Sequence, residues 1–163
     1  MNKAQVKKII KVENFKLQSQ FQCNMKEKAK EIYRKMMESD FCSQWMGIEL
    51  MQIKQGDCHL RMKVKKEMLN GFGTLHGGMA YAFADSALAF ACNSYGRVSP
   101  LIQGSMNYIK SAKEGDILEA KAKVRFLGNK KADVDVEIFC NSQLEPYYLF
   151  RGTVYRTTKE HLY

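Results

Sequence analysis

Asp85 is the residue in this sequence best placed to do chemistry. It stands inside the nearly apolar run Gly78–Cys92, between Ala84 and Ser86, with Tyr81, Phe83, Leu88 and Phe90 close by. An unpartnered carboxylate is expensive in such a setting. It must therefore pair, keep a proton, face solvent beside Ser86, or open on a functional cleft. If the run is helical, the positions one turn away are Tyr81, Ala82, Leu88 and Ala89, none of them a cation. Just upstream, a loop rich in glycine, Asn70-Gly71-Phe72-Gly73-Thr74-Leu75, leads into His76-Gly77-Gly78. A helix N-terminus presents free backbone N–H groups and the positive end of its dipole, and glycine lets a ligand oxygen come close to them. Such a turn can bind an anion or polarise a carbonyl as an oxyanion hole. The glycine spacing fits neither a dinucleotide fingerprint nor a Walker loop. Asp85 follows Gly78 by seven residues, roughly 10 Å along a helix axis, too far for one chain to use both at a single carbon. A symmetric dimer that sets Asp85 of one subunit against the His76–Gly78 turn of the other closes that gap.

The surrounding pattern supplies the elements that hold these residues. Gly78–Ser94 reads as a helix that is apolar on nearly all sides, with small residues at Gly78, Ala80, Ala82, Ala84, Ala87, Ala89 and Ala91. From Phe41 onward the rest reads as strands. Gly47–Lys54 and Cys58–Val64 form a hairpin around Gln55-Gly56-Asp57, followed downstream by Ile102–Ser111, Ile117–Phe126, Ala132–Asn141 and Tyr147–Thr157. Alternation is clean in two of them. Leu118, Ala120, Ala122, Val124 and Phe126 oppose Glu119, Lys121, Lys123 and Arg125, and Val134, Val136, Ile138 and Cys140 oppose Asp133, Asp135 and Glu137. Turns, not crossover helices, separate these strands, so the sheet is antiparallel. The expected fold is α+β: a curved antiparallel sheet of about six strands wrapped around one long buried helix. Ahead of it, residues 25–39 read as an amphipathic helix with Ala29, Ile32, Tyr33 and Met36 on one face. Residues 1–24 read as a loosely docked extension, and Met25 is a second candidate start. The expected division is a basic extension and helix over 1–40 and a single domain over 41–163.

Composition narrows the class. With 163 residues, 45% hydrophobic and 11% aromatic, the chain has the material for one domain and is not disordered. No stretch is long and apolar enough to span a membrane. The five cysteines, Cys23, Cys42, Cys58, Cys92 and Cys140, form no pair with metal-ligand spacing, and no export signal opens the chain. Free thiols, no bound metal and a cytoplasmic location are expected. The net charge of +9 invites an anionic partner, but residues 1–40 hold ten Lys/Arg against five Asp/Glu, more than half of the excess. What is left over 41–163 suits a small phosphorylated ligand better than a nucleic acid, for which no recognised motif is present.

The segment Leu69–Gly78, running on through Ala84-Asp85-Ser86-Ala87 and Ala91-Cys92-Asn93-Ser94, resembles the signature of the hotdog-fold acyl-CoA thioesterases. It is most similar to the phenylacetic-acid-degradation branch, and Glu114-Gly115-Asp116 and Phe150-Arg151-Gly152-Thr153 fit as well. The resemblance covers about residues 31–157. It implies the hotdog fold and hydrolysis of an aryl- or medium-chain acyl-CoA by a homodimer or dimer of dimers, without cofactor or metal. By the same resemblance, Asp85 is the catalytic carboxylate, as general base or nucleophile, and the Gly77 N–H polarises the thioester carbonyl across the subunit interface. His76 and Asn70 take supporting positions and Gly78 a substrate-binding one. Gly128-Asn129-Lys130-Lys131 matches the turn that meets the CoA phosphates. Phe72, Met79, Tyr81 and Phe83 are candidates for the acyl pocket, with ordinary core as the alternative for each.

The departures matter too. Relatives with Ser or Thr one turn after the carboxylate, or Ser about eighteen residues after it, contrast with Ala89 and Gln103 here. The hydroxyl that orients the hydrolytic water is therefore unassigned, with Ser86 as one candidate. An acyl-CoA-binding protein without turnover is the alternative that this absence motivates. A hotdog dehydratase is disfavoured because no histidine follows Asp85 before His161.

Overall fold

Period-two burial lays out the sheet. In β5, Lys131–Cys140, the residues Ala132, Val134, Val136, Ile138 and Cys140 are buried, while those between them are not. The same alternation runs through β2, Asp57–Lys63, and β6, Tyr148–Tyr155. With β1 (Glu49–Lys54), β3 (Leu101–Tyr108) and β4 (Ile117–Leu127) they form one sheet in the order β1-β2-β4-β5-β6-β3, every pairing antiparallel. The computed structural model describes residue 20 and residues 23–162, so most of the expected extension, including 1–19, lies outside the described residues. Among the described residues no helix is long and apolar enough to cross a membrane, and no cluster of metal-ligating side chains occurs.

The central helix, α3, spans Gly77–Asn93 and packs against β2, β3, β4, β5 and β6. It buries Ala80, Phe83, Ala84, Ala87, Leu88, Phe90, Ala91 and Cys92 against the sheet, each large side chain contributing about 1.5–3 kcal/mol. Contact is close: a Cβ added to Gly152 in β6 would stand 2.5 Å from Leu88 Cδ1. Shifts of register at Leu50/Gln52, Leu101/Gln103 and Val124/Phe126 bend three strands around the helix. A half-exposed strip remains along Tyr81, Ala82, Asp85, Ser86 and Ala89. The expected architecture, a sheet around one long helix, is the observed one.

Among the described residues two helices precede β1. Helix α1, residues 23–37, buries Ala29 and Ile32, and its Tyr33 ring meets Phe90 edge-on with centroids 4.8 Å apart. Helix α2, Phe41–Met46, corrects the expectation of strand from Phe41 onward. Asp40 caps it, accepting the Ser43 N–H at 3.0 Å, and Gly47 ends it in the left-handed region at φ 73°. Six residues hold under two helical turns, too few for a period of 3.6 to declare itself.

Candidate active site

The start of α3 is fixed by its own sequence. His76 is extended (φ −62°, ψ 132°), and its Nδ1 accepts the Gly78 N–H at 2.9 Å. Its carbonyl takes the N–H groups of Met79 and Ala80, at 2.9 and 3.3 Å. The Gly77 N–H is left without an acceptor among the described residues. That makes it the free donor at the positive end of the helix. Tyr108 of β3 lies over this glycine, its hydroxyl donating to the Gly77 carbonyl at 3.4 Å, and an added Cβ there would meet the Tyr108 ring at 3.1 Å.

Asn70 shapes the approach loop. Its Oδ1 accepts from the N–H groups of Phe72 and Thr74, at 2.9 and 3.3 Å, and its own N–H donates to the Thr74 carbonyl at 2.8 Å. The loop is then pinned at its exit, where the His76 N–H reaches the Met68 carbonyl and the Leu75 N–H the Ala112 carbonyl. Asn70, His76, Gly77 and Gly78 thus form one unit at the head of α3.

Asp85 sits two turns further on, half-buried, and accepts no hydrogen bond and forms no ion pair among the described residues. Burial pushes its carboxyl above the ordinary carboxylate range, and the charge of Asp40 adds to that. Its neighbour Ser86 is engaged elsewhere: the hydroxyl is 3.0 Å from the Ala82 carbonyl and 2.9 Å from Ser43 Oγ. Ser43 in turn donates to Asp40 Oδ2 at 2.6 Å. Within one chain, the Gly77 N–H and Asp85 are separated by eight residues, roughly 12 Å of helical rise. They do not converge.

The candidate phosphate turn lies at the other end. Gly128–Lys131 joins β4 to β5, with Asn129, Lys130 and Lys131 exposed. Two guanidiniums strap it. Arg97, just beyond the C-terminus of α3, donates to the carbonyl and side chain of Asn129, at 3.0 and 3.2 Å, and Arg156 to the Gly128 carbonyl at 2.6 Å. Of the candidate acyl-pocket residues, Phe83 is fully buried in the core and lines no open surface, while Phe72 is almost wholly exposed. Asp40 and Ser43 escaped the sequence reading. The Asp-x-x-Ser capping pattern at 40–43 was the signal for α2.

Residues 72–147 match the thioesterase superfamily. An acyl-coenzyme A thioesterase of Escherichia coli K12, PaaI, is 35% identical over 132 residues, which is 81% of this chain and 94% of that protein. The chain belongs to the thioesterase superfamily. The structure of the Escherichia coli PaaI protein, from the phenylacetic acid degradation operon, superposes with a TM-score of 0.81 at 32% identity, covering 83% of this chain and 98% of that one. A Streptococcus mutans UA159 protein solved bound to acetyl CoA aligns with a TM-score of 0.67 at 25% identity, over 69% of this chain and 90% of that one. The thioesterase membership and the likeness to the phenylacetic-acid-degradation branch agree with the hotdog architecture traced above.

Proposed function

We propose that this thioesterase hydrolyses an acyl-CoA, with an aryl or medium-chain acyl group, in a homodimer whose sites are shared between subunits. The observation that carries this reading is the presence on one helix of a half-buried Asp85, without a partner among the described residues, and a free Gly77 N–H that it does not reach. A two-fold axis that runs α3 against its copy brings Asp85 of each subunit to the Gly77 of the other. The strand β3 supports such a partner, since it is hydrogen-bonded on one side only and carries Ile102 and Tyr108 exposed, with Ile109 just beyond it. Two dimers then pair into a tetramer.

In this site the thioester oxygen is bound by the partner's Gly77 N–H, which draws charge from the carbonyl carbon. Asp85 takes a proton from water as the water oxygen adds to that carbon, or attacks the carbon itself and is released by water afterwards. The tetrahedral intermediate expels the CoA thiolate, which is reprotonated, and the acid leaves. Nothing in these steps calls for a cofactor or metal. His76 keeps the turn closed through the Gly78 N–H, Asn70 keeps the loop closed behind it, and Gly78 gives the thioester room to approach. Lys130 and Lys131, with Gly128 and Asn129 shaping the turn, meet the CoA phosphates. The Streptococcus mutans protein bound to acetyl CoA supports that ligand class. The free thiols, Cys58, Cys92 and Cys140 buried and Cys23 and Cys42 exposed, suit a reducing cytoplasm.

The test is thiol release over a panel of aromatic and straight-chain acyl-CoAs, with Asp85→Asn alongside. The reading expects turnover of at least one aryl or medium-chain substrate. Saturable CoA binding with no release across the panel would favour the non-hydrolytic alternative, for which the lack of a hydroxyl at Ala89 is the motive.

A further inference from the structure

One turn after Asp85 stands Ala89, which has no hydroxyl, Gln103 is exposed on β3, and the Ser86 hydroxyl is engaged with Ser43 and Ala82. One hydroxyl beside Asp85 is unengaged. Tyr81 lies four residues before Asp85 on the half-exposed strip of α3, so the two side chains occupy adjacent turns of one face. Its Oη has no hydrogen-bond partner among the described residues. Its ring is held nonetheless: it meets Phe150 edge-on, with centroids 4.9 Å apart and planes at 88°. On the other side it rests against Gly104, where an added Cβ would stand 2.4 Å from the hydroxyl oxygen. A phenol fixed by its ring and with no hydrogen-bond partner for its oxygen among the described residues is preorganised to bind something small and polar.

We propose that Tyr81 is a catalytic residue whose hydroxyl holds the attacking water against Asp85. The proposal rests on the acyl-CoA reading above, in its general-base form. The symmetry of that reading adds a second reason: Tyr81 falls halfway between Gly77 and Asp85, so in a dimer that opposes those two residues the axis passes at Tyr81. Each Tyr81 then lies one turn, about 6 Å, from the level at which its own Asp85 faces the partner's Gly77. Water gives one hydrogen to the Asp85 carboxylate and the other to Tyr81 Oη, leaving an oxygen lone pair for the carbonyl carbon. As the C–O bond forms, the first proton passes to Asp85; as the C–S bond breaks, that proton goes to the departing CoA thiolate. The Tyr81 proton stays in place throughout. Burial, then the nearby charge of Asp85, then Tyr108 hold the Tyr81 phenol above its ordinary value, which keeps it neutral at working pH.

Tyr81→Phe keeps the ring and its Phe150 contact and removes only the oxygen. With the best acyl-CoA of the panel, kcat should fall by about ten- to a hundredfold with KM within about threefold, the scale of one lost hydrogen bond in a transition state. Gly104→Ala, whose methyl would meet both the Tyr81 hydroxyl and the Phe150 ring, shifts the phenol without deleting it and should lower kcat in the same direction. A Tyr81→Phe enzyme with kcat within twofold of wild type, beside an inactive Asp85→Asn, overturns the proposal and leaves the acyl-CoA reading standing. Raised KM with unchanged kcat also overturns it and makes Tyr81 an acyl-binding residue. Full activity of Asp85→Asn overturns both.

Discussion

Ser43 Oγ stands 2.9 Å from Ser86 Oγ, which joins the N-terminal turn of α2 to the residue next to Asp85. Ser43 donates its own hydroxyl hydrogen bond to Asp40, so the link ends in a second carboxylate rather than in a cation. Negative charge near a half-buried carboxylate disfavours its ionised form, and burial acts in the same direction. A general base is more effective when its pKa lies nearer the working pH, so in the proposed mechanism the Asp40 charge on this short helix acts on the base itself.

Asp40→Asn keeps a capping side chain and removes the charge. The acid limb of the kcat/KM profile should move to lower pH, though only in part, because burial, the larger cause, remains. A pH profile of the variant beside wild type reads this directly. An unmoved limb would show that Asp40 caps α2 and does no more.

Asp85 should cost stability at neutral pH. Its folded pKa is raised above the unfolded value, so the folded state holds the proton more tightly. Stability from this group is then greatest below the unfolded pKa and is lost as pH rises through the folded one. Asp85→Asn should therefore melt higher than wild type at pH 7.5, with the gap closing as the pH falls into the ordinary carboxylate range. Thermal melts at both pH values check the sign.

The His76 cap carries its own prediction. His76→Ala removes the acceptor of the Gly78 N–H and should cost about 1 kcal/mol, or roughly 2–4 °C in Tm for a chain of this size. His76→Asn, whose short side chain is a strong N-cap, should recover most of that loss. Equal melting of all three proteins would contradict the cap.

Reversing the charge at Lys130 and Lys131 together should raise KM for the CoA substrate by about tenfold at low salt and leave kcat nearly unchanged. The wild-type KM should rise with salt, and that of the variant should respond less. A KM within twofold of wild type would remove this turn from the substrate site.

The sheet and the central helix were legible because their residues obey one period each. β5 alternates along its whole length, and α3 is apolar almost all round because strands cover most of it. The helix starts one residue before the expected Gly78 because His76, not Gly77, makes the cap. Local motif chemistry also pointed to the candidate site, since a mid-helix aspartate and a glycine-rich helix start are anomalous by themselves. What the sequence hid was long-range. Ser43 meets Ser86 across 43 positions, Tyr81 meets Gly104 across two elements, and Arg97 and Arg156 converge on the β4–β5 turn from different loops. No periodicity encodes such contacts. For Phe83 the two readings, pocket and core, were equally open in the sequence, because a helical aromatic reads the same whether it faces a cleft or the core, and the core is where it lies.

In the proposed mechanism Asp85 drives thioester hydrolysis. The most direct measurement is the rate of CoA thiol release by purified protein from its best acyl-CoA, compared with Asp85→Asn at matched oligomeric state and folding. The account predicts that the variant retains the fold and the oligomer and loses turnover by at least about a hundredfold, the scale of removing a general base. Release by Asp85→Asn at the wild-type rate would contradict it.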